Sequence, residues 1–195
     1  MKIYHKKPII LFFGMLFFSA KILALPQSAS PSILSFLVNA TDKIALQVTI
    51  PDKFTPIVGE DKVDEALKNG LVEYIPKKDL NQKKWSELLT IIPLNNSSIQ
   101  SHVFRDAVLG ELKTKTKNFM MVNSAFKNEK SYQVATAIAR YQLDGRTEIV
   151  YFYAISGPVN SVSVQYAKAI PADADLSKLL YELSAFFAKN IVILK

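Results

Sequence analysis

Apolar residues recur along this chain first at every second position and later at every third or fourth, and the switch between these periods sets out its elements. Ile44 to Ile50 alternates as a strand does and stops at Pro51-Asp52, after which Lys53 to Gly59 reads as irregular connection. Val63, Ala66 and Leu67 have helical spacing within Asp61 to Lys68, and Asn69-Gly70 supplies a C-terminal stop. Leu71 to Ile75 returns to strand and ends at Pro76. Lys77 to Lys84 is a polar connector, and Trp85 to Ile92 again has strand composition.

Past Asn95-Asn96-Ser97-Ser98, which offers cap residues, Ile99, Val103, Phe104, Ala107, Val108 and Leu112 share one broad helical face. Gly110 costs that helix about 1 kcal/mol relative to alanine, so it marks either a close backbone approach or a weak point. Four strand-like runs follow, Phe119 to Phe126, Tyr132 to Leu143, Thr147 to Ser156 and Ser161 to Ile170, with turns at Asp144-Gly145 and Gly157-Pro158. They predict an antiparallel meander. Thr147 to Ser156 is apolar on both faces, so it belongs at the centre of a sheet covered on both sides.

One cover is the helix after Ser98. The other is Asp173 to Lys189, where Leu176, Leu179, Leu180, Leu183 and Phe187 form one stripe and Asp173 or Asp175 can cap. Ala135, Ala137 and Ala139 point to a common face and let a helix approach closely. Ile191 to Leu194 is an edge strand or a helix extension. The expected fold class is α+β, an antiparallel meander with helices on both faces, that is, an α/β/α sandwich.

The first residues change the picture of where this sandwich works. Lys2, Lys6 and Lys7 precede an apolar run from Ile9 to Phe18, and Ile22-Leu23-Ala24 offers a cleavage site between Ala24 and Leu25, the pattern of a secretory signal peptide over residues 1–24. The run is broken by Lys21 and by the polar stretch Pro26 to Pro31, so it falls short of the ~20 apolar residues of a spanning helix. The expectation is a secreted or periplasmic product with no stable membrane insertion after cleavage. Residues 25–42, with a short apolar run at Ile33 to Val38, read as an N-terminal linker, and 43–195 as one domain.

Composition then narrows the chemistry. Removing 24 residues from 195 leaves 171, and because the leader holds Lys2, Lys6, Lys7 and Lys21 but no acid, the formal charge falls from +7 to +3. That balance, with Arg105, Arg140 and Arg146 the only arginines, gives no reason to expect a nucleic-acid partner. The chain has no cysteine, which excludes disulfides and cysteine nucleophiles, and after the leader only His102 remains of its two histidines. His102 is a poor start for a serine triad, since no Gly-x-Ser-x-Gly elbow occurs. No metal or cofactor site is expected: glycine-rich phosphate loops and calcium loops are absent, and Asp61, Asp64 and Glu65 read as acids at a helix start. Lys113, Lys115 and Lys117 read as the solvated end of a helix, with a ligand-binding basic patch as the alternative.

The segments Glu73-Tyr74-Ile75-Pro76 and Trp85-Ser86-Glu87-Leu88-Leu89-Thr90 resemble those of small exported bacterial proteins that carry a strand, a polar connector and a Trp-x-Glu-x-x-Thr strand. With the order of its helices and meander, the chain is similar to the Mog1/PsbP-like fold and resembles secreted proteins of Legionella-type bacteria, some of them type II secretion substrates. The resemblance implies a non-enzymatic binding or accessory role, with no catalytic residue and no ligand to carry over. The leading expectation from the chain as a whole is binding of a protein or small-molecule ligand through a surface pocket or strand edge. Glu73, Tyr74, Trp85 and Glu87 are the candidate binding residues, with Trp85 equally suited to the core. An alternative is a secreted hydrolase in which Glu73 and Glu87 converge with separated pKa values; another is a periplasmic envelope scaffold.

Overall fold

Alternation at Ile44 to Ile50 gives a strand in which every second residue is buried, but that strand does not belong to the meander. The computed structural model describes residues 32–95 and 99–195. The expected leader, its cleavage site at Ala24 and Leu25, the first part of the linker and the cap residues Asn96, Ser97 and Ser98 lie outside the described residues. Strands β1 (Ser32–Asn39), β2 (Ile44–Ile50) and β10 (Ile191–Leu194) form a three-stranded antiparallel sheet in the order β1-β2-β10. Residues 32–39 are therefore a strand, which corrects the linker expected over 25–42. The reason is burial: Leu34, Phe36 and Val38 point alternately inward against the core, and Val38 is fully buried. Ile191 to Leu194 is the edge strand, paired to β2 from Ile191 opposite Val48 to Leu194 opposite Ala45.

The second sheet has seven strands in the order β3-β4-β5-β9-β8-β7-β6. Its members are β3 (Phe54–Pro56), β4 (Val72–Pro76), β5 (Glu87–Asn95), β6 (Lys117–Asn128), β7 (Gln133–Leu143), β8 (Arg146–Ser156) and β9 (Asn160–Ile170). β3 falls where an irregular connection is expected; Phe54 is buried and its short strand pairs with β4. Pro93 sits within β5 beyond Ile91, which faces Val72, the first residue of β4, so the outer side of β5 has no ladder to break there. β8 lies between β7 and β9 over its whole length, as its two apolar faces require.

Helix α1 (Val63–Lys68) continues a short 3-10 turn at Glu60–Lys62, and α2 (Ser101–Lys115) and α3 (Leu176–Asn190) take opposite faces of the sheet. On one face Phe104, Val108 and Leu109 of α2 meet Ala137, Ala139, Val150 and Phe152, with Phe104 edge-on to Phe152 at 6.1 Å. On the other, Leu179, Leu183 and Phe187 of α3 pack with Ile149, Val164 and Tyr166, and Phe187 stacks on Tyr151 at 4.0 Å. The three-stranded sheet shares this second face through Leu46, Val48 and Ile50.

Both helix starts are settled by tertiary structure as much as by local sequence. Asp175 caps α3, accepting from the N–H groups of Ser177 and Lys178. The N-cap of α2 is Gln100, which makes no side-chain cap; instead the Ser101 N–H donates to the Ser156 hydroxyl at the end of β8, 2.9 Å away. A Cβ on Gly110 would meet nothing within 4 Å, so no backbone approaches there. The close approach is at Gly157, where a Cβ would lie 2.5 Å from the Val38 carbonyl oxygen.

Candidate functional site

Register along β4 and β5 decides the fate of the sequence-predicted residues. Glu73 lies opposite Thr90, and Tyr74 opposite Leu89. Side chains alternate between faces along a strand, so Glu73 shares the α2 face with Ile75, Leu88 and Thr90. Glu87 shares the α3 face with Tyr74, Leu89 and Ile91. The two carboxylates sit on opposite sides of the sheet and do not converge. Glu73 instead continues a cross-strand row with Thr90 and Gln165, and burial raises its pKa above the ordinary carboxylate value.

Trp85 is likewise apart from Glu87, and Tyr74, although on its face, belongs to the core. Tyr74 is a buried core residue whose hydroxyl is pushed up to about 12, first by burial and then by the charges of Glu60 and Asp64. Trp85 packs half-buried on the α2-side core, covered by the Arg146 guanidinium 4.1 Å from its ring centre. Arg146 Nη1 donates to the Trp85 carbonyl at 2.6 Å, and its Nε donates to Glu148 Oε1 at 2.6 Å. Trp85, Arg146 and buried Glu148 thus clamp the connector onto the sheet. His102 lies edge-on to Phe126 at 4.8 Å.

Glu87 has a different set of neighbours. Its Oε2 accepts from the Tyr166 hydroxyl and from Lys53 Nζ, each at 2.5 Å. Burial pushes the carboxyl up, but these two bonds and the charges of Lys53 and Lys168 outweigh it, so Glu87 is held below the usual carboxylate range. Tyr166 moves the opposite way, pushed far up by burial and by the carboxylate it serves. The strand pairing explains the gathering: Glu87 is directly opposite Lys168, and Tyr166 is two residues along the same face of β9.

The far wall is α3. Leu179, Leu183 and Phe186 face the sheet, Phe186 stacks on Tyr166 at 4.1 Å, and Glu182 accepts from Lys168 Nζ at 2.9 Å. Between these elements lies a cleft of about 220 Å³ lined by Lys53, Glu87, Tyr166, Lys168 and the apolar side chains of α3. Two cations and two carboxylates therefore alternate around an aromatic and aliphatic wall.

Of the candidate binding residues, only Glu87 lines this cleft, beside Leu179 and Leu183 of the expected helix stripe. Lys53, Lys168, Glu182 and Phe186 were not singled out, and Tyr166 only as one of several aromatic residues that fit a core. The available signal was parity: Tyr166 and Lys168 share one face of their strand, while Leu179, Glu182, Leu183 and Phe186 follow helical spacing. Sequence alone does not fix which strands are neighbours. Among the described residues, no group of three or more His, Cys, Asp or Glu side chains is placed to hold a metal ion, and no helix is long and apolar enough to cross a membrane.

No family model matches this sequence, and no curated protein matches it. Solved structures do. The chain is similar to the Ran-binding protein Mog1p of Saccharomyces cerevisiae, at 9% identity over 85% of this chain and 96% of that one, with a TM-score of 0.49. It is similar to cyanobacterial PsbP from Synechocystis, at 11% identity over 89% and 99%, TM-score 0.48. LpqN of Mycobacterium tuberculosis, described as involved in cell envelope biogenesis, is 13% identical over 84% and 92%, TM-score 0.45. Mog1p and PsbP, the names of the fold that the sequence resembles, thus recur among these solved structures, and at such identities no residue role passes from those proteins to this one.

Proposed function

We propose that this chain is an exported binding protein that takes a small zwitterion with an apolar side, the chemistry of an amino acid, into the cleft between β5, β9 and α3. The observation that carries the reading is the pairing of opposite charges around an apolar wall: Lys53 with Glu87 on one side, Lys168 with Glu182 on the other, and Leu179, Leu183 and Phe186 between them. Each lysine has three donors and uses one on its carboxylate, and both bonds to Glu87 fall on Oε2. A ligand carboxylate meets the spare donors while its ammonium meets the carboxylates. The volume, about 220 Å³, is below the ~300–1,000 Å³ of pockets for drug-sized ligands and suits a compact molecule.

Binding fits this arrangement better than hydrolysis. Glu87 is tied into two hydrogen bonds and held ionised, while Glu73, its would-be partner, is across the sheet. Export rests on the leader pattern of residues 1–24; fractionating the producing cell and its medium separates a periplasmic accessory protein from one delivered outside, as through type II secretion.

Titration calorimetry tests the ligand class with leucine, 4-methylpentanoate, which lacks the ammonium, and 3-methylbutylamine, which lacks the carboxylate. Leucine is expected to bind more tightly than either, and Lys168→Met to weaken leucine binding about tenfold or more. Equal affinities for the three probes, or binding unchanged by Lys168→Met and Glu87→Gln, would refute the reading.

A further inference from the structure

The connector from Lys77 to Trp85 is a built loop. The Leu80 N–H donates to the Lys77 carbonyl, the Gln82 N–H to the Asp79 carbonyl, and the Gln82 side chain to the Lys78 carbonyl. Asp79, 2% exposed, turns inward and accepts both the N–H and the hydroxyl of Ser86, each at 2.6 Å. With Asp79 drawn in, Leu80 is driven out and stands 41% exposed, although it is a large aliphatic residue. Lys77, Lys78, Lys83 and Lys84 flank it, all exposed.

Topology adds a second group of cations to the same end of the sheet. Lys84 Nζ reaches the Asp144 carbonyl in the β7–β8 turn, 3.5 Å away. The strand entering that turn pairs Gln142 with Lys117, the first residue of β6, which follows directly on the last turn of α2 with Lys113 and Lys115. From β5 to β6 there are four strand steps, or roughly 19 Å at about 4.8 Å each. The carboxylates at this end on the α2 side are few and mostly engaged: Asp79 is buried on Ser86, Glu148 is buried against Arg146, Glu111 is held by Lys115, and Asp144 lies in the turn.

We propose that this end of the molecule docks on an anionic lipid surface, with the lysines over the headgroups and Leu80 entering the interface. Four to eight basic residues gathered beside an apolar tip match the charge of such a surface. Nucleic acid fits less well, because all three arginines are engaged within the chain: Arg105 on the Ala125 carbonyl, Arg140 on the Ala172 carbonyl and Arg146 on Glu148. The aromatic ring beside the loop, Trp85, is already covered by Arg146. A diffuse layer of lysines without free forks or stacking rings suits headgroup charge.

Vesicle co-sedimentation of the purified protein tests this, with phosphatidylglycerol mixed equally into phosphatidylcholine against phosphatidylcholine alone. The expected result is a clear preference for the anionic vesicles that falls as salt is raised from 0.1 to 0.5 M. Lys83→Ser with Lys84→Ser is expected to lower the anionic affinity about 25-fold, at about fivefold per lysine. Leu80→Ser should weaken binding and leave its salt dependence unchanged. Lys127→Ser with Lys130→Ser, at the opposite end of the sheet, is the control and should change little. Unaltered thermal melting shows that each variant is folded. Equal binding to both vesicles, an unchanged Lys83/Lys84 variant, or an equal loss from the Lys127/Lys130 control would each overturn the proposal.

Discussion

Replacing Gly157 with alanine isolates one contact between the two sheets. The added Cβ would fall 2.5 Å from the Val38 carbonyl oxygen and 2.6 Å from Val38 Cγ1, well inside van der Waals contact. Gly157 is not among the glycines with positive φ, so alanine is not barred by its own backbone and the cost is steric. Relief by movement is limited, because the Val38 carbonyl already accepts the Val159 N–H at 3.1 Å and Asn160 Nδ2 donates to the Leu37 carbonyl at 2.7 Å. Overpacking of this kind costs about 1–3 kcal/mol. For a chain of this size each kcal/mol lowers Tm by about 2–4 °C, so Gly157→Ala should melt about 2–12 °C lower. Hydrogen exchange should locate the loss in β1, with faster exchange from Ser32 to Asn39 while β7 and β8 hold. Gly110→Ala is the matched control: nothing stands within 4 Å of its Cβ, and it should stabilise α2 by about 1 kcal/mol. A Gly157→Ala protein that melts with the parent and keeps β1 protected would refute the steric argument.

Three further outcomes follow from the polar contacts. Arg146→Ala strands the Glu148 carboxylate, 1% exposed, without its cation and should cost about 3–5 kcal/mol by chemical denaturation, whereas Arg146→Met with Glu148→Leu should recover much of the loss. Asp175→Ala removes the cap of α3 and should cost about 1 kcal/mol by the same measurement. Glu87, with a depressed folded pKa, contributes stability that is present above its unfolded value, near 4.5, and lost as pH falls through the folded value; Glu87→Gln should therefore flatten the acid limb of a Tm-against-pH profile. Glu73 acts with the opposite sign, since its raised pKa favours the fold below the unfolded value and that contribution fades as pH rises through the folded one.

The meander and its covering helices were legible because their signals are local. Asp144-Gly145 and Gly157-Pro158 mark the turns, the two apolar faces of β8 require two covers, and the Leu179, Leu183 and Phe187 stripe supplies one of them. The small sheet was legible only in part: β2 shows in its alternation and β1 lies next to it in sequence, whereas the seat of β10 on the other edge of β2 depends on a strand far from it along the chain. The same limit applies to the cleft. Glu87 and Lys168 are opposite one another only because β5 pairs with β9, and the convergence proposed for Glu73 and Glu87 fails on strand parity once β4 and β5 are aligned. Gly157 shows a local signal read for only half its meaning: it ends a strand, and it also leaves room for Val38 of another sheet.

The seating of β10 against β2 has a consequence for how the chain matures. Val48 finds its neighbour Ile191 only after everything between them has been made, so during synthesis the second edge of β2 stays bare. In that interval the unpaired edge is open to pairing with another chain, and it is closed by the arrival of residues 191–194.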